Sequence, residues 1–142
     1  MIMRMRRKKN LDERIAKCEG WFLNLTDHEN RDQREVKPDS LLNFKELFGN
    51  SNPVLLEIGC GMGRFANALA KQNPDVNVLA VEKIDNVLVS AAETARDENI
   101  KNIKFVCCSA EYLQRYIKEK SIETLYLNFS CPYPKKRYEN QR

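Results

Sequence analysis

Histidine is almost missing from this chain: His28 is the only one in 142 residues. The five cysteines (Cys18, Cys60, Cys107, Cys108 and Cys131) form no C-x-x-C pair, are odd in number and have no histidine near them. That disfavours a zinc site or a disulfide framework and suits a reduced, cytoplasmic chain. No apolar run approaches the roughly 20 residues of a membrane span. The basic N-terminus is followed by no apolar stretch and does not read as a signal peptide. Internal repeats and low-complexity segments are also missing. What remains, 42% hydrophobic and 31% charged residues, describes one ordinary globular domain with an appended arm.

The net charge of +4 is mild, but its placement is uneven. Arg4, Arg6, Arg7, Lys8 and Lys9 crowd the first nine residues, and Lys135, Lys136, Arg137 and Arg142 the last eight. Basic ends around a neutral-to-acidic middle suggest a polyanionic partner; solvated tails are the simpler alternative.

Asn10 is placed to cap a helix over residues 11–20, with Asp12 and Glu13 in its first turn. Residues 24–39 are polar and read as a loop. Asp39 or Ser40 can cap a short helix through Phe48, which Gly49 stops. From Val54 the pattern changes. Strands are expected at 54–58, 76–81, 103–107 and 125–129, with helices after the first two and a third over 111–118, where Tyr112, Leu113 and Tyr116 recur. Alternating strands and helices predict parallel βαβ units in a doubly wound α/β sheet.

Between the first strand and helix lies Gly59-Cys60-Gly61-Met62-Gly63. Such a turn lets a ligand approach the backbone, although a purely structural turn has the same composition. The spacing is G-x-G-x-G, and a dinucleotide fingerprint would want its third glycine at Arg64. Glu57 lies two residues before the first glycine, where a carboxylate suits an ammonium group better than a pyrophosphate. Glu82 ends the second strand, placed to accept hydrogen bonds from ribose hydroxyls. An amino-acid tail, a ribose and no phosphate describe S-adenosylmethionine. Ser109, after the third strand, falls where the adenine would lie, and reads equally as a helix N-cap. Ser130-Cys131-Pro132-Tyr133 ends the fourth strand, at the edge where ligands of open α/β sheets bind. Its prolines stiffen the turn, Tyr133 offers a face for base stacking, and Lys135, Lys136 and Arg137 suit phosphates. Core packing for Tyr133 and a solvated helix start for the basic trio are the structural alternatives.

LEIGCGMGRF, AVEK and YLNFSCPYPKKRYENQR together resemble the bacterial tRNA (guanine-N7-)-methyltransferase family, and the likeness runs from the basic arm MRMRRKKNLDER to the end. The resemblance implies a Rossmann-like class I methyltransferase fold. Residues 1–52 would be a basic arm, helix and loop. Residues 53–142 would be the S-adenosylmethionine-binding half-domain, the N-terminal half of the doubly wound sheet. It implies transfer of a methyl group to N7 of a variable-loop guanine in tRNA. Glu57, Gly59, Gly61, Gly63, Glu82, Ser109 and Cys131 would then face the cofactor, and Tyr133, Lys135, Lys136 and Arg137 the tRNA. Cys131 falls on the position of the family's catalytic Asp, and Tyr133 on that of its Trp. The fold of such enzymes continues past a fourth strand, so the chain is expected to be a truncated piece. Two alternatives stay open: methylation of an exocyclic amine, because Ser130-Cys131-Pro132-Tyr133 is one residue from S-P-P-Y, and an inactive RNA- or cofactor-binding remnant. A nicotinamide-binding domain is disfavoured by the glycine spacing.

Overall fold

A computed structural model describes residues 6–25 and 41–128. Five parallel strands form one sheet: β1 (Phe22–Asn24), β2 (Val54–Ile58), β3 (Asn77–Glu82), β4 (Ile103–Cys107) and β5 (Thr124–Leu127), in the order β1-β4-β3-β2-β5. The central strands are apolar on both faces because both are covered. On one face, Val78, Ala80, Ile103 and Phe105 meet α3 (Arg64–Gln72) and α4 (Asp85–Asp97). The small side chains Ala66, Ala70, Ala91, Ala92 and Ala95 let these helices lie close to the sheet. On the other face, Leu56, Leu79, Val81 and Val106 meet Leu113 and Tyr116, with α2 (Phe44–Phe48) packed alongside.

Four departures from the sequence reading have local causes. The first is β1, which was not expected. Three residues are too few to show alternation, and Trp21 anchors the strand from outside it. Its carbonyl accepts from Phe105 N at 2.7 Å and its Nε1 donates to Ile100 O at 2.7 Å. The second concerns the first helix: α1 covers only Leu11–Ala16, and Asn10 is left-handed (φ 57°) with no side-chain capping bond. The chain instead turns through Cys18, whose carbonyl accepts from both Trp21 N and Phe22 N. Third, α2 starts later than expected and is capped by Asn43, whose Oδ1 accepts from Glu46 N at 3.2 Å; Gly49 ends it at φ 76°, as its sequence position implies. Asp39 and Ser40 lie outside the described residues. Fourth, the expected helix over 111–118 is a 3-10 helix at Ala110–Arg115.

β5 pairs with β2 and, among the described residues, has nothing on its outer side. Leu125 is 52% and Leu127 54% exposed there. Beside them a groove of about 750 Å³ runs between Leu41, Leu113, Ile117, Ile122 and Leu125. It lies on the face of the 3-10 helix, away from the glycine turn.

Candidate functional site

The chain steps from β2 outward to β3 and β4, then crosses back to lay β5 on the other side of β2. This reversal opens a crevice beyond the carboxyl ends of β2 and β5, the usual ligand position in open α/β sheets. The two strands stay in register to their ends, with Glu57 opposite Tyr126 and Ile58 opposite Leu127, and Asn128 N donates to Ile58 O at 3.0 Å.

The glycine turn hooks over this edge. Gly59 N and Cys60 N both donate to Val81 O, at 2.8 and 3.0 Å, and Gly63 N closes the turn on Cys60 O at 2.9 Å. The three glycines have different duties. A side chain on Gly59 would run into the backbone carbonyl of Asn128, and one on Gly63 would lie 2.5 Å from Ala91 Cβ. Gly61, at φ 56°, faces open space, with nothing within 4 Å of where a Cβ would be. It alone of the three leaves room for a ligand against the backbone. Gly63 is a packing glycine at φ 79°, so Gly63→Ala is expected to destabilise the chain by about 2–5 kcal/mol, left-handed strain plus overpacking. Ala91→Gly in the same chain should return at least about 1 kcal/mol of this, read by a double-mutant cycle of urea melts.

Glu57 lies beside that opening. It is only 1% exposed, and neither carboxylate oxygen has a hydrogen-bond partner among the described residues. Burial pushes its pKa above the usual carboxylate range, against a smaller downward pull from the nearby Asn128 amide. A buried carboxylate with no donor is costly on its own and calls for a cationic or hydrogen-bonding ligand. Glu82, at the end of β3, is half-buried, and its Oε2 accepts from Ile84 N at 3.2 Å, which holds the carboxylate at the rim. Ser109 follows β4 at the start of the 3-10 helix. It makes no capping bond; its Oγ lies 3.3 Å from Glu111 Oε1 and can donate to it. The neighbouring Cys108 N donates to Glu82 O at 3.2 Å, which ties this turn to the acid. Cys60 is buried. Desolvation, then the charges of Glu57 and Glu82, push its thiol far up, so it stays protonated and inert.

The described residues thus bring together Glu57, Gly59, Gly61, Gly63, Glu82 and Ser109 along one edge of the sheet. Cys131, Tyr133, Lys135, Lys136 and Arg137 lie outside the described residues. Asn128 was missed by the sequence reading. Its signal was an amide between Leu127 and Phe129 in an apolar strand. Among the described residues no group of three or more His, Cys, Asp or Glu side chains is placed to hold a metal, and no helix is long and apolar enough to cross a membrane.

A parallel sheet with a strand-order reversal, a glycine turn at that reversal and two strand-end acids define the cofactor-binding half of a Rossmann-like α/β domain. A solved structure described as that of "an antibiotic related Methyltransferase" shares this fold, with a TM-score of 0.52 at 17% identity over 66% of this chain and 48% of that one. A family model described as "Putative methyltransferase" matches residues 51–142, and the chain belongs to that family. Among curated proteins, the tRNA (guanine-N(7)-)-methyltransferase of Bacillus subtilis (strain 168) is 36% identical over 99% of this chain and 61% of its own length. The protein of that name from Listeria monocytogenes serotype 4b (strain F2365) is 42% identical over 70% of this chain and 46% of its own length. The chain therefore spans about half to three-fifths of the relatives it matches.

Proposed function

We propose that residues 53–142 are the S-adenosylmethionine-binding half of a cytoplasmic tRNA (guanine-N7-)-methyltransferase. The observation that carries the reading is the buried Glu57 carboxylate, with neither oxygen fully hydrogen-bonded among the described residues, beside the open Gly61 cradle. An α-ammonium group would satisfy that carboxylate. Glu82, held at the rim, suits ribose hydroxyls, and Ser109 with Glu111 suits an adenine edge. The names of the curated relatives support the choice of tRNA and of N7.

When bound, S-adenosylmethionine supplies an electrophilic methyl group on a sulfonium. Guanine N7 carries a free lone pair at neutral pH, so no residue of this chain has to remove a proton before transfer. The chain's own task is positioning. Glu57 and the glycine turn orient the cofactor's amino-acid end, and Tyr133 stacks the target base. Lys135, Lys136 and Arg137, with the basic arm, hold phosphates. By the resemblance to the family, Cys131 falls on the position of its catalytic Asp. As a thiol it stabilises the cationic product poorly; as a thiolate favoured by Lys135 and Lys136 it does so better.

The test is nucleoside mass spectrometry of tRNA incubated with the chain and S-adenosylmethionine. 7-Methylguanosine is expected, and an N2- or N6-methyl product would overturn the N7 assignment. Cys131→Ala should lower the rate by about 10-fold and leave product detectable, because positioning carries most of the acceleration. Complete loss with cofactor binding intact would make Cys131 indispensable.

A further inference from the structure

The basic arm is fastened to the body by one face of α4. Asn86, in the first turn of that helix, is 7% exposed although polar. Its Oδ1 accepts from Lys8 N at 2.6 Å and its Nδ2 donates to Arg6 O at 3.0 Å. One side-chain amide thus pairs with two backbone groups of the arm, as a neighbouring strand would. One turn further on, Ser90 Oγ accepts from Lys8 Nζ. Almost another turn on, the Glu93 carboxylate takes Arg14 in a two-pronged pair, with Nε on Oε2 at 2.9 Å and Nη2 on Oε1. Positions 86, 90 and 93 share one helix face by their spacing of four and three.

The arm's cations consequently differ in what they can do. Arg14 is neutralised by Glu93, and paired in the geometry that makes guanidinium–carboxylate contacts strong. Lys8 is turned inward onto α4, where burial, then the Arg14 charge, lowers its pKa. Arg6 and Lys9 are exposed, and Arg7 is exposed and makes a surface pair with Asp12 at 2.8 Å. The clasp also sets where these three sit. Asn86 follows Glu82 by four residues, so it holds the arm at the carboxyl edge of the sheet, beside the candidate site.

We propose that the stripe Asn86–Ser90–Glu93 is a clasp that splits the arm's basic residues into two sets. Lys8 and Arg14 lock the arm down; Arg6, Arg7 and Lys9 are presented outward as a fixed contact for RNA phosphates at the rim of the site. This rests on the RNA reading above for its ligand but not for its geometry. Pre-ordering the arm removes an ordering cost from binding, so the clasp acts on affinity without touching the nucleic acid.

The experiment uses the full chain, unfractionated tRNA and a series of salt concentrations. Each phosphate contact contributes about 0.7–0.9 to the slope of log affinity against log salt. Arg6→Ala with Lys9→Ala should lower that slope by about 1–2. Lys8→Met should leave the slope unchanged and lower Tm. Asn86→Ala should speed tryptic cleavage after Arg7 and Lys9 and weaken tRNA binding by about 3–10-fold, with thermal shift by S-adenosylhomocysteine retained. Ser90→Ala should act in the same direction and more weakly. A slope lost equally in Lys8→Met would overturn the partition, and tryptic cleavage unchanged in Asn86→Ala would overturn the clasp. If the unaltered chain shows no salt-dependent tRNA binding, the RNA contact is wrong, and trypsin still decides whether the clasp exists.

Discussion

Glu57→Gln is expected to abolish measurable cofactor binding and to raise the melting temperature of the free chain. The two effects have one cause. The carboxylate is buried and, among the described residues, neither oxygen is held in a full hydrogen bond, the Asn128 amide offsetting only part of the desolvation, so its charge is a burden on the empty fold and an asset only when a cation meets it. Losing one partner of a buried, hydrogen-bonded charge pair costs about 2–5 kcal/mol, about 30-fold to several thousand-fold in affinity. The pH dependence follows from the direction of the shift. In the unfolded chain Glu57 titrates near its ordinary value of 4.5, and in the folded chain above it. Between those values the folded state binds more protons, so stability falls as pH rises. Below the unfolded value both forms of the residue are neutral, and the unaltered chain and Glu57→Gln should melt alike. The gap should open as pH rises through the folded pKa and stay open at pH 8. Cofactor affinity should move the other way, rising with pH through the same window and releasing a proton. Thermal melts from pH 4 to 8, and calorimetric titrations in two buffers of different ionisation heat, read both. A variant that melts lower than the unaltered chain at pH 8 would mean that the carboxylate is satisfied in the free fold.

Gly59→Ala should both destabilise the chain strongly and disturb the site. At φ 79° an alanine takes on left-handed strain of about 1–2 kcal/mol. Its Cβ would also meet the carbonyl of Asn128, a backbone group that cannot rotate aside. Overpacking of this kind costs about 1–3 kcal/mol. Together, about 2–5 kcal/mol is a large share of the 5–15 kcal/mol that holds a typical domain, and Tm should fall by roughly 10–20 °C. Relief can come only by β5 moving off β2, which also carries Asn128 away from Glu57. Cofactor binding should therefore fail at temperatures where the variant is still folded. A Gly59→Ala chain that melts within about 2 °C of the unaltered one would show that β5 is not seated as described.

The parts of this molecule that sequence reasoning found are those whose signal is local. β2 and β3 are buried on both faces and read as apolar runs, Val54–Leu56 and Val78–Val81, and β4 reads the same way apart from Lys104. Glu57 and Glu82 stand out because an acid at the end of such a run has no structural excuse. β1 was hidden because three residues carry no period, and its pairing partner, Phe105 opposite Phe22, lies 83 positions away. The 3-10 helix was mistaken for an α-helix because Leu113 and Tyr116, three apart, fit both periods. Asn86 gave no warning either. A polar residue in the first turn of a helix looks solvated until its partners, about 80 positions away, come into view. The same holds for Lys8, whose charge looked available for a polyanion and is turned onto α4.

The outer edge of β5, uncovered among the described residues, bears on how this site responds to whatever lies against it. β5 is a single strand between the solvent side at Leu125 and Leu127 and the carboxylate of Glu57 on β2. A group seated on that edge that steadied Asn128 against Glu57 would, by thermodynamic reciprocity, be steadied in return by whatever fills the glycine cradle.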